Sequence, residues 1–327
     1  MDLSGGRRRR PHRTAAKKKF IVGIGEVLWD LYPDGKFPGG APANFAYHVH
    51  HLGQEACIVS RVGRDELGDE LAERLSMAGL DAGYLQRDAA RPTGTVKISL
   101  DRQGMPKFQC TEDVAFDYLE PAPLWQSLYA KVDAVLFGTL AQRREGSRNA
   151  IREFLAQVPS ALRIYDVNIR GWNDITRQLV VDSLRLANAL KLNQEEHDLL
   201  RDVFHFQEDQ PAAFLRFLVK EFDLRLVALT LGSEGCVLID QAEVVYEPGF
   251  RVEVVDTTGA GDAFAAALVV MFLEGMPLRE VARFANALGA LVASRKGATP
   301  GWNLTELRRL ISSTSTRVWS ETYQQFG

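Results

Sequence analysis

The sequence predicts an α/β fold in which a mostly parallel central sheet carries helices on its faces and a small β-sheet is inserted into the first half of the chain. Three observations predict it. Short apolar runs alternate with helical periodicity over most of the chain. The helix signal disappears between residues 93 and 116, where period-two segments replace it. No repeat of solenoid period and no long linker divides the 327 residues.

The first element is not yet fold. Residues 1–19 carry eight Arg/Lys against one Asp, a net +7 that leaves about −10 for the rest of a chain whose formal charge is −3. With no apolar face to bury, this basic head is expected to be disordered, and with no apolar stretch after the arginines it is not a secretory signal. The remainder, 20–327, reads as a single domain. The content of the whole chain, 46% hydrophobic and 25% charged residues, excludes collagenous, mucin-like and disordered classes. The longest apolar run, 263–273, is too short to span a bilayer. Cys57, Cys110 and Cys236 are odd in number and widely spaced, which suggests neither a disulfide framework nor a zinc site and fits a reducing cytoplasm.

Folding is expected to begin with an apolar strand at 20–25, followed by turn residues up to Gly39-Gly40. A helix at 43–52, a strand at 57–62 and an amphipathic helix at 66–78 ended by Gly79 complete a β-α-β run. The segment 95–100 alternates in period two, with Gly104 as a turn before Phe108. Strand and helix then alternate again at 134–137, 149–157, 162–165, 175–186 and 189–192, the pattern of a parallel sheet. Strands are predicted at 227–231, 236–239, 243–246 and 252–255, and helices at 262–274 and 278–294.

The chemistry is most legible at Asp256-Thr257-Thr258-Gly259-Ala260-Gly261-Asp262. Glycines let the backbone approach a ligand, and the helix that follows aims its unpaired amides and positive dipole end at the same place, so an anion should be held there. An Asp at such a helix start has a plain use as a cap, but it also stands where it could take the proton of a hydroxyl attacking phosphate. No Gly-Lys-Ser/Thr ends the loop, so it is not a Walker A sequence. A rival reading, a nicotinamide site after the first strand, is suggested by Gly23 and Gly25 but lacks the third glycine of that turn.

This segment resembles the C-terminal signature of the ribokinase-like (PfkB) carbohydrate kinases. Gly25-Glu26-Val27-Leu28-Trp29-Asp30 and Pro38-Gly39-Gly40-Ala41-Pro42-Ala43-Asn44-Phe45-Ala46 resemble the N-terminal sugar-binding signature of its fructokinases. The resemblance covers about residues 20 to 312 and implies a ribokinase-like three-layer sandwich, with a lid formed by 29–37 and 93–116. It implies that Asp262 is the catalytic base and that Gly259, Ala260 and Gly261 form the anion hole. Asp30, Gly39, Gly40, Asn44 and, from Asp166-Val167-Asn168-Ile169-Arg170, Arg170 are implied to bind the sugar. Asn193 and Glu196 are implied to organise Mg2+ and phosphate, and Thr230, Gly232, Gly235 and Asn286 to contact ATP. A potassium ion is implied at Asp256, Thr258, Ala293 and Gly297, although Gly301 stands where members of the family commonly offer a serine.

The same segments have bland readings: Asn193 and Glu196 as a helix capping box, Asn44 as a helix cap, Asp166 as half of an internal ion pair, and Asn286 as a bridge between helices. The function implied is ATP-dependent phosphorylation of fructose to fructose 6-phosphate in the cytoplasm. The alternatives are a kinase of ribose, a nucleoside or 2-keto-3-deoxygluconate, or a non-catalytic sugar-binding protein. The partners are ATP and a small sugar, with no nucleic acid and no membrane expected, and a homodimer through the lid is implied.

Overall fold

The computed structural model describes residues 17–100, 106–313 and 316–327; Gly104 and most of the basic head lie outside them, and side chains are described outside 98–108. Lys19 already belongs to the folded body. Its amide donates to Gln54 Oε1, and its ammonium pairs with Asp133 at 3.2 Å.

The chain lays down β1 (Phe20–Ile24), the hairpin β2 (Leu28–Tyr32) and β3 (Gly35–Gly39), then α1 (Ala41–His51), β4 (Glu55–Gly63), α2 (Glu66–Met77) and β5 (Leu85–Asp88). A second hairpin, β6 (Gly94–Leu100) and β7 (Pro106–Cys110), is followed by α3 (Gln126–Tyr129), β8 (Val132–Gly138), α4 (Glu145–Gln157), β9 (Leu162–Asp166), α5 (Asp174–Leu186) and β10 (Ala189–Asn193). Then come α6 (Gln194–Val203), α7 (Ala213–Glu221), β11 (Leu226–Thr230), β12 (Cys236–Ile239), β13 (Val244–Glu247) and β14 (Gly249–Phe250). Helices α8 (Ala260–Leu273), α9 (Leu278–Ala293) and α10 (Leu304–Ser312) precede β15 (Arg317–Val318).

Nine strands form the central sheet in the order β13-β12-β11-β10-β9-β8-β1-β4-β5, parallel except at the β11-β12-β13 end. Because strand side chains alternate in direction, each strand feeds two cores. Ile21, Ile58, Leu136 and Ile164 face one core with Phe45 of α1, Phe264 of α8 and Val281 of α9. Val22, Val59, Val135 and Tyr165 face the other with Phe154 of α4, Val180 of α5 and Leu215 of α7. Helix α8 is buried along 263–270 without interruption, which is why the longest apolar run of the chain has no polar face. Among the described residues no helix is long and apolar enough to cross a membrane.

The small sheet has the order β3-β2-β6-β7 and stands apart from the large one. Its limits are narrower than the predicted 93–116. Thr93 is buried and bonded to Asp65, and Phe116 is fully buried in the second core.

One predicted strand is absent. Residues 252–255 form no ladder, and Val254 and Val255 are each 60% exposed. The amides of Val255 and Asp256 donate instead to Ala293 O at the end of α9, so apolar alternation here marks an extended loop rather than a sheet edge. The helix predicted to start at 262 starts at Ala260, placing Asp262 inside its first turn.

Candidate active site

Gly259 caps α8 with φ 77°, a left-handed conformation natural to glycine, and a Cβ there would come within 2.5 Å of Ala298 Cα. The next amides, of Gly261 and Asp262, lie in the first helical turn and have no acceptor within the helix. The turn therefore offers N–H groups and a positive helix end to an anion.

Asp262 meets the N-terminal half of the chain directly. Asn44 Nδ2 donates to Asp262 Oδ2 at 2.8 Å, across 218 positions of sequence. Asn44 is buried within α1, not at its cap; that position belongs to Gly40. The carboxylate of buried Asp30, on β2, lies over Gly39, where a Cβ would sit 2.3 Å from Asp30 Oδ2; only a glycine leaves this approach open. Arg170, on the loop after β9, is close enough for its charge to act on Asp262, Asp30 and Glu26.

The crowding of carboxyls sets their acidity. Burial first, then the Asp166 charge, pushes Asp262 up to about 6, against the opposing pull of Asn44, Lys191 and Arg170. Burial and the Asp262 charge push Asp30 up to about 7, with Arg170 opposing. Glu26 is raised to about 7 chiefly by burial; its Oε1 accepts from Ala41 N at 3.3 Å, while its Oε2 is buried with no bonded partner among the described residues.

At the carboxyl ends of β9 and β10, Asp166 pairs with Lys191, whose Nζ lies 3.0 and 3.1 Å from its two oxygens. Asn193 and Glu196 form a reciprocal capping box on α6, with both bonds at 2.8 Å, and Glu196 Oε1 also accepts from Ile169 N at 3.0 Å. This box ties the Arg170 loop to α6. Few carboxylate oxygens remain for direct metal coordination, and no group of three His, Cys, Asp or Glu is placed to hold a metal among the described residues.

Thr230 ends β11, and its hydroxyl donates to Leu192 O at 3.4 Å. Gly232 opens to empty space, whereas a Cβ on Gly235 would stand 2.0 Å from Glu247 O, so Gly235 lets the chain entering β12 pass close to the end of β13. Asn286 is buried on α9 and donates to Glu247 O and Pro248 O, bridging that helix to the end of β13. The residues implied for potassium converge, but they are largely occupied by one another. Asp256 accepts from Thr258 N, Gly297 N and the Tyr32 hydroxyl, bonds that outweigh burial and hold its carboxyl below the usual range. Ala293 O already accepts two amides, which uses both of its lone pairs and fits a cation poorly.

Three side chains that the sequence reading did not single out join the site. The Tyr32 hydroxyl of β2, which donates to Asp256, also lies within hydrogen-bond distance of Thr258 Oγ1 at 3.2 Å and so links the small sheet to the glycine turn. The Glu26 side chain accepts from Ala41 N at the start of α1, just after Gly40. Lys191 was visible as a lysine amid Ala189, Leu190 and Leu192, where a buried charge needs a partner.

Comparison with known proteins identifies the family. The description of pfkB family carbohydrate kinases matches residues 34–304, and the chain belongs to that family. Fructokinase-1 of Oryza sativa subsp. japonica is 31% identical over 312 residues, covering 88% of this chain and 95% of that one. A sugar kinase of Pyrococcus horikoshii, solved in complex with ATP and described as uncharacterized, is 31% identical with a TM-score of 0.75, covering 89% of this chain and 99% of that one. A fructokinase of Xylella fastidiosa with bound ATP superposes with a TM-score of 0.80 at 24% identity, over 90% of this chain and 98% of that one, a likeness of fold. The protein is therefore a carbohydrate kinase of ribokinase-like fold.

Proposed function

We propose that the protein transfers the γ-phosphoryl group of ATP to a hydroxyl of fructose, at C6, with Asp262 as base. The observation that carries this reading is the Asn44–Asp262 hydrogen bond, which joins the sugar-side helix α1 to the helix end suited to phosphate. Asp30, Asn44 and Arg170, with the open backbone of Gly39 and Gly40, bind and orient the sugar. Asp262 accepts the hydroxyl proton as the oxygen attacks phosphorus, and the turn of Gly259, Ala260 and Gly261 holds the migrating group.

Asn193 and Glu196 face the phosphates through water, where Mg2+ would neutralise their charge. Thr230, Gly232 and Gly235 line the nucleotide side, with Asn286 acting through its brace on β13. Residues 20–327 form one kinase unit in this reading, and its small sheet is a lid over the sugar that excludes water. A reducing cytoplasm and a lid-to-lid homodimer belong to the same reading.

Support for fructose comes from the fructokinase relatives and from the Asp30 and Asn44 signatures. The test is ADP release measured over fructose, other hexoses, pentoses, 2-keto-3-deoxygluconate and nucleosides, with K+ or Na+ present. Fructose should have the highest kcat/KM, and Asp262→Asn should lower kcat by about 10²–10⁴ while sugar binding persists. A preference for ribose or a nucleoside would replace the substrate, and turnover surviving Asp262→Asn would remove the base. Dependence on K+ over Na+ would place a cation beside Asp256 despite the crowded oxygens.

A further inference from the structure

We propose that Lys191 is a phosphate-directed residue of this kinase, its ammonium supplying a charged donor at the floor of the turn made by Gly259, Ala260 and Gly261. The proposal rests on the reading of that turn as the phosphate cradle. Lys191 lies in the parallel strand β10 and is 7% exposed. A buried ammonium has three protons to place. Two are taken by the oxygens of Asp166, and no third acceptor is present among the described residues. A Cβ built on Gly261 would stand 3.0 Å from Lys191 Nζ, so the ammonium lies directly against the backbone of the cradle.

Its charge is secure. Burial opposes it, yet Asp166, Glu196 and Asp262 together hold the ammonium above the usual lysine range. A buried ion pair adds little net stability by itself, so the place where this one can have a large effect is the site it adjoins. During transfer the sugar oxygen forms a bond to the γ-phosphorus, the bond from that phosphorus to the β,γ-bridging oxygen breaks, ADP departs and the hydroxyl proton goes to Asp262. Lys191 stays protonated throughout. Its third N–H meets the negative charge on the phosphoryl oxygens, where a preorganised donor in a water-poor site is worth far more than in solution.

The bland alternative is that Lys191 only neutralises Asp166. Three variants separate the two: Lys191→Met, Asp166→Asn and the double change, each measured for kcat, KM for ATP and for the best sugar of the panel, and melting temperature, beside Asp262→Asn. We expect kcat to fall about 100-fold in Lys191→Met and to stay low in the double variant. Sugar KM should change less than about threefold, because the interaction is made mainly in the transition state.

A double variant with kcat restored to within a few-fold of the unmodified enzyme overturns the proposal. Should the double variant fail to fold, the single changes decide. Asp166→Asn retaining at least tenfold more kcat than Lys191→Met supports the lysine's direct role, and equal losses overturn it. Asp262→Asn tests the catalytic reading on which the proposal rests, since its unimpaired turnover would remove Asp262 as base whatever Lys191 does.

Discussion

Asp262 carries two constraints that pull in opposite directions. The proposed base must be ionised to accept a proton, yet burial and the neighbouring Asp166 raise its pKa to about 6. The sign for activity follows directly: kcat should fall as pH drops through about 6, where the carboxylate is protonated, and a pH–rate profile would show this acid limb. The raised value also makes it a stronger base than an exposed aspartate, so the burial that complicates folding serves proton transfer. Asp30 extends the logic to the sugar, since at about 7 its carboxyl is partly protonated near neutrality, and hydroxyl donors from a bound sugar favour the ionised form.

Among the elements, the β2–β3 hairpin and helix α8 decide how the site is assembled. Tyr32 lies on β2 two residues after Asp30, and its hydroxyl reaches Asp256 and Thr258 beside the cradle. Tyr32→Phe removes these bonds and keeps the ring that packs edge-on to Phe37. In the proposed role of the hairpin as a lid, loss of about 1 kcal/mol of closure energy should raise the sugar KM about fivefold while the chemical step is largely preserved, as steady-state kinetics would register. Helix α8 holds the cradle from behind. Leu268 is fully buried on it, and Leu268→Ala should cost about 2–5 kcal/mol in chemical denaturation.

Over the whole molecule, the carboxyl cluster at the sheet's edge gives stability an unusual pH sign. Glu26, Asp30 and Asp262 are all raised, to about 7, 7 and 6, above their unfolded values near 4. Between about pH 4 and 7 the folded protein therefore binds more protons than the unfolded chain, and these three groups lose stabilising effect as pH rises through that window. Asp65, Asp88 and Asp256 are lowered and act oppositely, with their contribution lost at more acidic pH. Melting temperature followed between pH 5 and 8 without ligand should rise toward neutrality more strongly in the double variant Glu26→Gln, Asp30→Asn than in the unmodified protein.

The sequence by itself determined much of the alternation of strands and helices, because period two and period 3.6 are local and survive without knowledge of what packs on them, although it did not mark β5, α7 or α10. It also pointed to the family, since glycines before a helix and an aspartate in its first turn form a signature legible within seven residues. The strand expected at 252–255 failed because apolar alternation cannot report whether a partner strand lies alongside; there the backbone amides find Ala293 O instead.

Only the tertiary structure decided that Asn44 touches Asp262, that Lys191 lies against Gly261 and that Tyr32 reaches Thr258. These contacts join positions far apart in the chain, and their geometry is set by where the parallel strands end, a property of the whole sheet. A charge inside an apolar strand announces that a partner must exist. Which partner it finds is fixed by packing alone.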